Sequence, residues 1–391
     1  MTEEKQPAKK QRKQRPRAHH GEGSVFELKD SKRTKRFVAQ ITLEDGTKKK
    51  TYHATEKEAI AARRKMLNDF EQGRIATGPQ QKLKEYLEYW LEEAHKPTLK
   101  TSTYALYRRH LDNHIIPHLG HIQLKKLTSD HVQAFCANLL QEGLKSGTVR
   151  LVHTILSTAL DDAVRWKRIP INVCETVKLP RHARRKVQPL DEEQARRLVK
   201  AAQGSRLDAI IFLALTTALR LGEILALRWE DIDLEKKTLQ VRHTVDYIWK
   251  QGWVEDEPKS ASSNRSLVLP HVTVEVLKQH RALQLEGRLK AGAKWKDMGL
   301  VFPNRNGGYF RRARLYANFK KLLREAGLPD IHFHDLRHSA ATILLSMGVP
   351  PKVVQEILGH ASISTTMNIY GHVFPSTHQD AMDEMNKFFR E

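Results

Sequence analysis

Cysteine is almost missing from this chain: Cys136 and Cys174 are the only two in 391 residues. Two thiols cannot build a disulfide framework or a cysteine-rich zinc site, so a reducing compartment suits the chain. Also missing is any run near the roughly 18 apolar residues that would cross a bilayer, and no apolar leader follows the N-terminus. Together with a mean hydropathy of −0.57, this predicts a cytoplasmic protein with no membrane partner. No Gly-x-x-x-x-Gly-Lys-Ser/Thr loop occurs, which argues against ATP-driven chemistry, and no internal repeat is found. Acidic charge is short as well. Against 67 Lys and Arg stand 45 Asp and Glu, a net charge of +22 with a pI near 9.9. An excess of that size calls for a polyanion, and nucleic acid is the commonest one in a cell.

What is present divides the chain. Residues 1–20 hold seven Lys or Arg, two Glu and no aromatic residue, the composition of a basic disordered tail. Residues 21–75 read as three strands and a helix. Phe37, Ala39, Ile41 and Leu43 alternate, Asp45-Gly46 marks a hairpin, Thr51 to His53 continue a second strand and Ser24 to Leu28 supply another. Thr55 with Glu58 is a capping box for a helix to about Phe70. Lys32, Arg33, Lys35, Arg36 and Lys48 to Lys50 cluster on strand ends and hairpin, where a sheet can lay them into a DNA groove.

A Gly/Pro-punctuated linker over 73–81 leads into a four-helix domain within residues 76–179. Leu83, Tyr86, Leu87, Trp90 and Leu91 form one stripe. Tyr104, Tyr107, Leu111 and Ile115 form the next, ended by Pro117 and Gly120, and two further helices span Ser129–Gln141 and Ser146–Trp166. Such stripes are core rather than ligand boxes. Residues 180–189 are a second linker carrying Arg181, Arg184, Arg185 and Lys186, suited to closing around a duplex. From 190 to 391 the pattern is mostly helical with a β insertion, its best strands at Leu239–His243 and Ser266–Leu269. The fold class is therefore mainly α with small β elements, in several domains.

The chemistry sits in the last domain. Arg220-Leu-Gly-Glu223, His334-Asp-Leu-Arg337-His338, Leu358-Gly-His360 and Tyr370 are each weak alone. Arg220 beside Glu223 fits a buried ion pair, and His334 with His338 has the i, i+4 spacing of a two-histidine zinc pair. A lone tyrosine is usually a packed aromatic. Taken together in a strongly basic chain, two arginines, two histidines, a lysine and a tyrosine form a phosphoryl-transfer set. The planar arginine fork suits the non-bridging oxygens of a pentavalent phosphorane, and a tyrosine nucleophile conserves the ester energy as phosphotyrosine.

This order of motifs resembles the tyrosine recombinases, specifically phage-type or conjugative-element integrases, over nearly the whole chain. The resemblance implies a site-specific DNA recombinase that works without metal, ATP or other cofactor. Tyr370 would attack the scissile phosphate to leave a 3′-phosphotyrosine and a free 5′-hydroxyl, Arg220 and Arg337 would clamp the phosphate, and His334 and His360 would hold it or move protons. Glu223 would orient the arginine. Lys259, in Pro258-Lys-Ser260, would be the general acid on a β-hairpin, with Lys250 as rival because the loop from Ile248 to Pro258 reads as irregular. Residues 21–75 would bind arm sites and 76–179 core sites on double-stranded DNA. A homotetramer would pass through a Holliday junction, integrating and excising a mobile element in a bacterial cytoplasm, with an excisionase and a host DNA-bending protein as partners. Ala381, Met382, Met385, Phe388 and Phe389 form an apolar C-terminal stripe that would dock on a neighbouring subunit. One departure is Asn172-Val173 where the family often has Asn-Pro, a difference at the linker's entry.

Three other readings stay open on the residues. One is a chromosome-dimer-resolving recombinase, though such enzymes generally lack the N-terminal module. Another is a DNA-binding regulator with an inactive recombinase domain. The last is a metal-dependent nuclease using His332, His334, His338, Asp231 and Asp233.

Overall fold

The computed structural model describes residues 23–28, 36–43, 46–71, 80–181, 188–256, 264–370 and 377–389. The basic tail, Lys32 to Lys35, Asp45, the linker stretches 72–79 and 182–187, and Lys259 lie outside the described residues. The chain forms two compact units, residues 1–183 and 184–391. Among the described residues no helix is long and apolar enough to cross a membrane.

In the first unit β1 (Ser24–Glu27), β2 (Phe37–Thr42) and β3 (Lys48–His53) make an antiparallel sheet in chain order. Alternation decides its faces. Ala39 and Ile41 turn toward α1 (Glu56–Glu71), packing with Ala59 and Met66. Register places Gln40 beside Lys50 and Val38 beside Tyr52 on the other face. Thr55 caps α1 through the Glu58 N–H at 3.3 Å. The Glu58 carboxylate reaches one residue further back than a standard box, to the Ala54 N–H at 3.2 Å.

The helical part of this unit holds α2 (Leu83–Tyr89), α3 (Thr101–His110), α4 (Ile116–Leu119), α5 (Ser129–Gln141) and α6 (Ser146–Arg165). They close on a core of Leu83, Tyr86, Leu87, Trp90, Phe135, Ile155 and Leu160, among others. Pro117 does not end a helix as the sequence suggested. A π-helical stretch, Leu111–Ile115, widens the turn before it, with the Ile116 N–H bonding the Leu111 carbonyl, so the chain continues helically through the proline to Leu119. At the core, Asp162 accepts from Trp90 Nε1 and contacts His95 Nε2, both at 2.8 Å.

The second unit is built on α7 (Glu192–Ala202), α8 (Asp208–Thr217), α9 (Leu221–Ala226), α10 (His271–Ala291), α11 (Arg312–Glu325), α12 (Asp335–Ser346), α13 (Pro351–Leu358), α14 (Ile363–Tyr370) and α15 (Thr377–Phe388). Between α9 and α10 lie β4 (Ile232–Asp233), β5 (Thr238–Val241) and β8 (Arg265–Val268) in one antiparallel sheet. The two strands expected from sequence, β5 and β8, pair directly, Leu239 opposite Leu267. The segment read as an irregular loop is instead a hairpin of β6 (Thr244–Ile248) and β7 (Gly252–Asp256). Its turn carries Lys250 at φ 68° and Gly252 at φ 86°, a three-residue loop without the Asn-Gly signature that would have announced it.

Candidate active site

The site begins with a backbone turn. Helix α8 ends at Ala218, whose φ of 53° is left-handed, a conformation costing a non-glycine residue about 1 kcal/mol. Its buried methyl packs with Ala340, Ala341 and Leu345 of α12 and Val354 and Leu358 of α13. The turn buries Leu219 and delivers Arg220 to the N-cap of α9. Glu223, three residues on, reaches back. It accepts from the Arg220 N–H at 3.0 Å and from Arg220 Nη1 at 2.8 Å. Arg265 of β8 donates to the same carboxylate at 3.2 Å and to the Ile357 carbonyl at 2.8 Å. Burial alone would raise the Glu223 pKa, but Arg265, the Arg220 N–H and its guanidinium together outweigh it, so the carboxyl is held below its ordinary range and ionised. Gly222 is required here: a Cβ would fall 2.5 Å from Thr244 Oγ1 and 3.1 Å from the Val245 carbonyl, where α9 meets β6.

Arg337 comes from the first turn of α12 and is only 3% exposed. Nη1 donates to the Ala218 carbonyl at 2.8 Å, and Nη2 to the Leu358 carbonyl. One side chain thus ties together the C-terminal ends of α8 and α13. Two residues past Leu358, beyond Gly359 at φ 63°, stands His360. Its Nδ1 meets Thr366 Oγ1 of α14 at 3.0 Å, and Gln355 Nε2 donates to its carbonyl at 2.9 Å. His334 stands at the N-cap position of α12, its ring edge-on to His338 with centroids 5.3 Å apart. Ser339 bridges the Asp335 carbonyl and the Leu190 N–H, pinning the start of the domain to α12.

Electrostatically the cluster pairs permanent cations with neutral rings. Burial, then the Arg337 guanidinium, lowers the pKa of His334. Burial with His334 beside it takes His338 down to about 4, and burial with Arg337 and Arg220 takes His360 to about 4. These rings are neutral near pH 7, while Arg220, its side chain 37% exposed, opens the cluster to solvent. Such a set can bind an anion and move a proton.

A pH dependence follows. His338 and His360 titrate near 6.5 when unfolded and near 4 when folded, so between those values the unfolded chain binds more protons. Stability should therefore fall as pH drops from about 6.5 toward 4. Urea midpoints at pH 7 and pH 5 check this: the pH 5 midpoint should be lower, and the gap should narrow in His338→Gln. Equal midpoints in the wild type would contradict the burial of these rings.

Of the six residues singled out from sequence, Arg220, His334, Arg337 and His360 come together in the structure. Tyr370 is the last residue of α14, one turn beyond Thr366, and Lys259 lies outside the described residues. Lys250 sits in the β6–β7 turn. The ion pair weighed against a functional role for Arg220 is present too, and it coexists with that exposure. Sequence reasoning gave Arg265 and Thr366 no place in this cluster and weighed His338 only as a metal ligand.

Similarity to known proteins spans most of the chain. The phage integrase family matches residues 188–377, and the phage integrase N-terminal SAM-like domain matches residues 82–140. A tyrosine recombinase XerC-like protein of Caldanaerobacter subterraneus is 32% identical, covering 93% of this chain and 98% of that protein. The ICEBs1 integrase of Bacillus subtilis is 25% identical over 85% of this chain and 90% of its own. Among solved structures, Tn1549 transposon integrase in complex with a circular intermediate DNA superposes with a TM-score of 0.67 at 19% identity, over 78% of this chain and 99% of that one. A lambda integrase tetramer bound to a Holliday junction superposes at 0.55 and 17% identity, over 89% and 97%. The two structures share the fold.

Proposed function

Because the chain belongs to the phage integrase family of tyrosine recombinases, and is thus a site-specific, DNA strand-transferring enzyme of a phage or mobile element, we propose that it acts through Tyr370. The tyrosine oxygen forms a bond to the scissile phosphorus as the bond to the 5′-oxygen breaks, leaving a 3′-phosphotyrosine. Arg220 and Arg337 hold the non-bridging oxygens through the transition state, each preorganised donor contributing on the order of 3 kcal/mol. Neutral His334 takes the tyrosine proton, and His360 hydrogen-bonds the phosphate. Lys259 gives a proton to the departing 5′-oxygen. A 5′-hydroxyl from the partner strand then attacks the phosphotyrosine in reverse, so no ATP is consumed.

The observation carrying this reading is the meeting of Arg220, Arg337, His334 and His360, with α14 tied to His360 through Thr366. Residues 21–75 would take arm sites on the Gln40, Lys50 and Tyr52 face, and 76–179 with 190–391 would take core sites. Helix α15, with Met382, Met385 and Phe388 exposed, would dock on the next subunit of a tetramer passing through a Holliday junction, integrating and excising the element. The test is to trap the chain on a nicked suicide duplex carrying its own attachment core, digest, and map the adduct. A nucleotide on the peptide containing Tyr370 is expected; one on another residue would overturn the assignment.

A further inference from the structure

Away from these residues, at the end of α6, the chain spells Arg165-Trp-Lys-Arg168. The last helical residues put Trp166 at the C-cap, and Lys167 then turns left-handed at φ 56°. The Arg168 N–H closes on the Ala163 carbonyl at 2.8 Å. That turn folds Arg168 back over α2, where Tyr86 and Tyr89 lie three residues apart on one face. Its guanidinium lies 4.6 Å from the Tyr89 ring centroid, 5.4 Å from Tyr86 and 5.6 Å from Trp166. The rings brace each other edge-on, Trp166 standing 6.3 Å from Tyr86 and 6.1 Å from Tyr89.

Three aromatic faces around one cation hold it strongly without satisfying its hydrogen-bonding capacity. Among the described residues no carboxylate pairs with Arg168 and no side-chain hydrogen bond uses it, unlike Arg165, which contacts Asp162 at 3.1 Å. Arginine offers five N–H groups in a rigid fork, and ring stacking leaves its edge free. Tyr89 and Trp166 are 45% and 37% exposed, so the box opens to solvent. A pre-oriented fork with no counter-ion, flanked by further basic residues, matches a phosphodiester oxygen pair.

We infer that Arg168 is a phosphate anchor of the helical domain, set by the Tyr86–Tyr89–Trp166 box to grip the DNA backbone. This rests on the reading that residues 76–179 contact DNA. Arg168 is a positioning residue, not a member of the cluster around Arg337, and it fixes where the duplex lies rather than what is done to it.

The experiment uses the full chain and a fluorescent mixed-sequence duplex titrated across salt concentrations. Arg168→Ala is expected to bind about tenfold more weakly, with the salt slope reduced by about one. Arg168→Lys keeps the charge and should retain the slope while losing part of the affinity. Tyr89→Ala removes no charge yet should weaken binding at an unchanged slope, which loss of a merely structural contact would not do. Wild-type affinity and slope in a folded Arg168→Ala chain would overturn the inference. If that variant does not fold, phenylglyoxal modification of the wild type decides. Arg168 should react in the free chain and be protected on the duplex, and equal modification in both, or none in either, would overturn it. A wild-type chain without salt-dependent duplex affinity would instead sink the DNA reading of the helical domain.

Discussion

Tyr370→Phe is expected to abolish covalent capture of a suicide substrate while leaving duplex affinity essentially unchanged. The substitution removes one oxygen, and a phenyl ring has no atom that can bond to phosphorus. The loss should reach the floor of the assay, on the order of 10⁵ or more in single-turnover cleavage, as when a covalent enzyme loses its nucleophile. The arginine pair would still hold the phosphate, because Arg220 is set by Glu223 and Arg337 by two carbonyls, none of them on α14. Denaturing gels with labelled DNA read the result. A surviving covalent band would mean another residue attacks.

Arg337→Ala should be the next most damaging change, and it should act in two ways. Removing a preorganised donor to the transition-state oxyanion costs about 10²–10³ in rate. The same truncation strips the buried Ala218 and Leu358 carbonyls of their donor, at about 1–3 kcal/mol for each group left unsatisfied. The variant should therefore cleave at least about a hundredfold more slowly even where it is fully folded, and unfold at lower urea. Arg337→Lys would keep the charge but cannot span both carbonyls as a planar fork does. Cleavage within tenfold of wild type by folded Arg337→Ala would remove this residue from the chemistry.

Much of this was legible beforehand because local rules and global fold agree. Helix α5 runs from Ser129 to Gln141 as its periodicity predicts, and β5 pairs with β8 as two apolar alternating runs should. Sequence reading failed where tertiary context overrode a local rule. Pro117 is an ordinary helix terminator until a widened turn makes room for it. The β6–β7 hairpin hid because its turn uses Lys250 in a left-handed conformation rather than Asn-Gly. Motif spacing singled out Arg220, His334, Arg337 and His360, which the structure gathers into one cluster. It could not announce Arg265, because its bond to Glu223 joins positions 42 residues apart, and long-range pairing leaves no periodic trace.

The carbonyl grip on Arg337 has an evolutionary consequence. The Ala218 and Leu358 oxygens it grips belong to the main chain, and no codon change can delete a main-chain carbonyl. Neighbouring side chains can drift while those acceptors persist, provided α8 still stops at Ala218 and α13 at Leu358. Selection at positions 218 and 359 therefore acts on backbone shape more than on side-chain chemistry. In a library of variants, tolerated replacements at 359 should be those that accept a left-handed φ, glycine and asparagine first, whereas 218, its methyl buried against α12 and α13, should admit little beyond alanine and glycine. The guanidinium's aim is inherited through the course of the backbone, which makes it durable against ordinary sequence divergence.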